Sequence, residues 1–151
     1  FSLLFSYNRK MKDLFVPHEI AKQLKEKGFD DPCIAEYVNG FLINHMQFTV
    51  EDEDKHSDWS TYTNSSTNWT QTKDRIVYSA PTHQQVINWL DKKGIVIQIQ
   101  IDRTTEPKYC FEVFKYEHFG NYEKHEPSEW FLYRNRTEAT NVSINEALKL
   151  I

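Results

Sequence analysis

Imidazoles and carboxylates crowd one short stretch, EHFGNYEKHE, where His118 and His125 stand near Glu117, Glu123 and Glu126. Such groups can ligate a metal or relay a proton, but their spacing matches neither a helical HExxH site nor a compact Cys/His site. A solvated acidic loop is the expected reading, and no metal is expected. Cys33 and Cys110 are the only cysteines, too few for a thiolate zinc site; two reduced thiols are expected, with one bridge between them as the alternative. Ser, His and Asp are plentiful, yet no nucleophile elbow surrounds any Ser and neither Cys sits in a reactive motif. Glycines occur only at 28, 40, 94 and 120, so no Walker loop or dinucleotide fingerprint can be built and no cofactor is expected. Enzyme is the minority reading, carried by His83, His118 or His125 acting on a nucleotide or phosphodiester.

The chemistry left over is recognition. A helix opening after Thr82 would offer free N–H groups and partial positive charge, beside Lys73, Arg75 and the aromatic Trp59, Tyr62 and Trp69. With His83 and Gln84 these form a candidate site for a phosphate-bearing ligand, in which the rings stack on a base or sugar. The bland alternatives are a capping box formed by Thr82 with Gln85, and aromatic rings folded back over a sheet.

The elements that must position these residues are legible from period and punctuation. In APTHQQVINWLDKKGIVIQIQI, Val86, Ile87 and Leu90 lie at helical spacing and Gly94 ends the helix; Ile95, Ile97, Ile99 and Ile101 then alternate with Val96, Gln98 and Gln100 as a strand. Upstream, Pro17 opens a helix with Ile20, Ala21 and Leu24 inward and Gly28 as its stop. Asn39-Gly40 marks a two-residue hairpin turn, and pairing Val38 with Phe41 sets Tyr37 opposite Leu42, Ala35 opposite Asn44 and Cys33 opposite Met46. A short strand is expected over Arg75 to Tyr78. Tyr109 to Tyr116 returns antiparallel beside the isoleucine strand with Phe111 and Val113 inward. EHFGNYEKHEPSEWF reads as loop, with a short strand near Trp130 to Tyr133. A last helix from Thr137 presents Ile144, Ala147, Leu148 and Ile151. The expected fold class is α+β: an antiparallel sheet of hairpins with three helices packed mainly on one face, in helix-hairpin-helix-hairpin-helix order.

A chain of 151 residues fits a single domain, read here as 11–151, with 1–10 an upstream or added extension before Met11. Eighteen basic against 22 acidic residues give a charge of -4, which supplies no general drive toward nucleic acid or an anionic membrane. No run reaches transmembrane length and FSLLFS is too short for a signal peptide, so a cytoplasmic protein is expected. Sequons stand at Asn64, Asn68, Asn135 and Asn141, a pattern that a Ser/Thr/Asn-rich chain produces by chance. Between Glu51 and Lys73 apolar residues nearly vanish, and a span of that length inside a compact domain is usually functional or disordered.

LFVPHEIAKQLKEKGFDDPC, SAPTHQQVINWL and INEALKLI resemble a family of small uncharacterised proteins of Bacteroidetes phages, prophages and mobile elements, over most of Leu14 to Ile151. Ser79 stands where many relatives carry Cys. The resemblance implies a genetic setting and no activity. The functional expectation is a phage or mobile-element accessory protein that binds a host partner through the span from Glu51 to Lys73, acting in the host cytoplasm and interfering with defence. Its alternative is a protein that sequesters a small phosphorylated defence signal such as a cyclic nucleotide. Self-association through exposed aromatic surface is a further expectation.

Overall fold

The computed structural model describes residues 12–44, 63–65, 72–103, 108–118, 120–127 and 132–151. In chain order these form α1 (His18–Glu26), β1 (Ala35–Val38), β2 (Phe41–Asn44), β3 (Val77–Ser79), α2 (His83–Lys92), β4 (Ile95–Asp102), β5 (Lys108–Tyr116), β6 (Tyr122–His125) and α3 (Arg136–Leu148). The class is α+β. The strands make two small antiparallel sheets, β2-β1-β3 and β4-β5-β6, where a single sheet was expected. Each hairpin takes a third strand on one edge, β3 beside β1 and β6 beside β5, and the two sheets share no strand.

Local chemistry explains the elements. α1 starts after Pro17, whose fixed φ suits a helix entry, and Gly28 at φ 82° lets the chain leave in the left-handed region. The Asn39-Gly40 turn holds both residues at positive φ, 49° and 83°, and gives the register Val38 to Phe41 and Tyr37 to Leu42 that the turn length requires. At the start of α2 the capping box is complete: the Thr82 side chain accepts from Gln85 N, while Gln85 Oε1 accepts from Thr82 N at 3.0 Å. α2 buries Val86, Trp89 and Leu90. Trp89 lies edge-on to Phe29 at 5.5 Å, with Lys93 4.6 Å over its ring, so an indole joins Val86 and Leu90 on the buried face while Ile87 is half-buried.

One core joins both sheets. Phe15, Val16, Ile20, Leu24, Phe29, Ala35 and Tyr37 on one side meet Val86, Leu90, Ile95, Phe111, Val113, Ile144 and Leu148 on the other. α3 is central to it, packing on α1, α2, β4 and β5. Its register departs from expectation at the end: Ile144, Ala147 and Leu148 are buried, but Ile151 lies past the helix and is exposed. The stretch read as loop contains β6. Its strand character was hidden because Tyr122, Glu123 and Lys124 are all exposed and no apolar alternation marks a core face. Cross-strand contacts hold it instead, through Tyr116 with Tyr122 edge-to-face at 5.4 Å and Lys124 with Glu112 at 2.6 Å. Of the strand expected near Trp130 to Tyr133, Leu132 and Tyr133 are described: Leu132 is exposed and in no strand, and Tyr133 makes an isolated bridge to Tyr109.

Candidate recognition site

Asn64 and Ser65 form the hub of the candidate site. Asn64 is buried although it sits in the polar stretch between β2 and β3. Its Nδ2 donates to Phe29 O at 2.6 Å and its Oδ1 accepts from Ser79 N at 3.1 Å, so one amide ties the exit of α1 to the end of β3. Ser65 completes the tie. Its backbone N and its Oγ donate to the two carboxylate oxygens of Asp30, each at 2.6 Å, and these hydrogen bonds hold the Asp30 carboxyl below its ordinary value. The sequence had offered Asn64 as a sequon. An Asn between Thr63 and Ser65 is a polar signal whichever way it faces, so nothing in the pattern announced an inward amide.

A second tie lies at the return into β3. Thr72 and Arg75 exchange backbone hydrogen bonds of 3.0 and 3.2 Å around a tight turn, which exposes Lys73 and Arg75. The Asn39 side chain locks this turn to the first hairpin, donating to Asp74 O at 3.2 Å and accepting from Ile76 N at 2.9 Å. Asn39 thus does two jobs, supplying positive φ to one turn and both hydrogen-bond functions to another.

The remaining candidate residues separate from this pair. Trp59, Tyr62 and Trp69 lie outside the described residues. His83 serves as a strut: its Nδ1 lies 3.1 Å from Leu14 O and its Nε2 2.6 Å from Asn141 Oδ1 on α3. Gln84 is exposed and donates to Asn88 one turn on. At the start of α2 the backbone donors are largely engaged, His83 N with Leu14 O and Gln85 N with Thr82 Oγ1, so the N-terminus that looked available to an anion is used to hold the segment around Phe15.

The other imidazoles are equally local. His125 Nε2 lies 3.2 Å from Glu146 Oε2 on α3, and Lys149 reaches the other oxygen of that carboxylate. Asn141 and Glu146 are five positions apart, about 140° around the helix axis and about 7.5 Å along it. His83 and His125 therefore meet different flanks of α3. His118 is exposed between β5 and β6. Among the described residues no group of three or more His, Cys, Asp or Glu is arranged to hold a metal, and no helix is long and apolar enough to cross a membrane. Both cysteines are free. Cys33 is fully buried, and burial pushes its thiol up to about 12. Comparison with protein-family models, curated proteins and solved structures finds no match.

Proposed function

We propose that this chain is a non-enzymatic binding protein, an accessory protein of a phage or mobile element that docks on a host protein and interferes with host defence through residues 51–73. The observation that carries the reading is the Asn64 and Ser65 tie. A connection serving only to link β2 to β3 needs no buried, two-sided amide in its middle, whereas a recognition segment gains from fixed anchor points, because ordering it beforehand lowers the entropic cost of binding. Trp59, Tyr62 and Trp69 flank the tie in sequence and are the aromatic anchors of the proposed surface. The placement of His83 and His125 on different flanks of α3 favours this over acid–base catalysis, which needs its groups within reach of one substrate. Affinity capture from host lysate compares the wild type with a Trp59→Ala/Trp69→Ala variant. A specific host protein lost from the variant supports the reading; identical partner lists overturn it.

A second reading, retention of a small phosphorylated ligand, draws on Lys73 and Arg75 exposed on one tight turn. With the N-terminus of α2 largely engaged, this reading rests on those two cations and the aromatic residues. Calorimetry with cyclic and linear nucleotides tests it: heat abolished by Arg75→Ala supports it, and no heat with any nucleotide removes it.

A further inference from the structure

Asn39 is the only Asn in the chain that Gly follows. At such a step the next backbone nitrogen can attack the side-chain amide, because glycine has no Cβ to block the approach. The surroundings of the pair are open. Asn39 and Gly40 are exposed, and among the described residues nothing but its chain neighbours lies within 4 Å of where a Gly40 Cβ would stand. The hairpin register pairs Val38 with Phe41, so Gly40 N lies outside the ladder. The amide under attack, by contrast, is held. Asn39 Nδ2 donates to Asp74 O at 3.2 Å and Oδ1 accepts from Ile76 N at 2.9 Å, while Asn39 N donates to Ile76 O at 2.9 Å. Ring closure rotates the side chain toward its own main chain, so both side-chain hydrogen bonds to the turn of residues 72–75 and its exit must open first.

We propose that Asn39 is a site of spontaneous deamidation with water as its only co-reactant, timed by opening of the 72–75 turn, and that the product leaves this turn unlocked. Gly40 N gives its proton to solvent and bonds to Asn39 Cγ. The Cγ–Nδ2 bond breaks, Nδ2 leaves as ammonia with the proton that solvent relays from Gly40 N, and a five-membered succinimide remains. Water then opens the ring at either carbonyl, giving isoaspartate or aspartate. One water is consumed, one ammonia is released and nothing is oxidised or reduced. Either product loses the Nδ2 donor and sets a carboxylate against Asp74 O, acceptor against acceptor. Isoaspartate also threads its Cβ into the main chain, and a two-residue turn that sets the register of β1 and β2 by its length has no place for an added atom.

The full chain is incubated at mildly alkaline pH, native and in urea, and peptide mass mapping follows conversion of amide to acid at Asn39. Opening two hydrogen bonds should make the native rate about five- to 150-fold slower than the unfolded one. Equal rates overturn the proposal, and so does a native protein still unmodified when the slow end of that range requires conversion. Trypsin reads the unlocking. Lys73 and Arg75 are exposed on the turn, so cleavage after them should be several-fold faster in Asn39→Asp than in the wild type, with cleavage after Lys92 in α2 unchanged. Wild-type protein aged to conversion gives the same comparison without the substitution. Cleavage after Lys73 and Arg75 that does not rise overturns the unlocking, and an equal rise after Lys92 overturns it too, because it marks a general loosening of the fold.

Discussion

Removing the Asn64 side chain would strand Phe29 O and Ser79 N inside the protein at once. Asn64→Ala should therefore cost about 2–4 kcal/mol in urea denaturation, since each buried group left unpaired loses a hydrogen bond and keeps its desolvation penalty. Ser79→Ala is the contrasting case. The Ser79 hydroxyl is fully buried and, among the described residues, has no nitrogen or oxygen partner and lies by the Cys33 sulfur, so its loss should change stability by no more than about 0.5 kcal/mol. Cys33 itself, buried and held protonated, should resist a thiol reagent in the native protein while Cys110 reacts; both should react in denaturant, and labelling stoichiometry checks this. Three of the sequon asparagines have structural work: Asn64 as the tie, Asn135 accepting from Glu138 N at 2.8 Å as the cap of α3, and Asn141 on His83. Sequence showed the attachment pattern alone, because a sequon records residue type and says nothing of the direction in which an amide points.

Helices and hairpins were legible where local chemistry decides them. The box at Thr82, the stops at Gly28 and Gly94 and the Asn39-Gly40 register all follow from interactions within a few residues, and Thr82→Ala should cost about 1 kcal/mol by thermal denaturation for the same reason. Gly94→Ala should cost more, about 1–3 kcal/mol, because its φ of 74° disfavours any side chain and a Cβ there would lie 3.0 Å from the Tyr116 Cβ. What stayed hidden depends on partners far along the chain. β6 has no apolar period of its own and exists through contacts with β5. Trp89 turns inward because Phe29 waits for it. The division into two sheets was hidden likewise, since a period of two shows that a strand has faces and not which sheet it joins.

At the scale of the whole molecule, the Asp30 carboxylate links pH to the integrity of the candidate site. Its hydrogen bonds from Ser65 lower its value in the folded protein below the ordinary 3.8, so its contribution is fully present above that value and is lost as the pH falls through the folded value. The stability difference between wild type and Asp30→Asn should be constant from neutral pH down to about 5 and shrink in stronger acid, as read from denaturation midpoints. The site was only partly readable in advance: the polar, aromatic-bearing character of 51–73 was visible, but its ties to Asp30, Phe29 and Ser79 are made by the neutral side chains of Asn64 and Ser65, whose partners lie across the fold. β1 holds β2 on one edge and β3 on the other, so the chain between Asn44 and Val77 connects two strands whose ladder with β1 is complete without it. Closure entropy grows only with the logarithm of length, about 0.6 kcal/mol for each doubling. Insertions, deletions or wholesale exchange of sequence on either side of the Asn64 and Ser65 tie should therefore leave the sheets standing, so that this span is free to vary in length and composition on one unchanged frame.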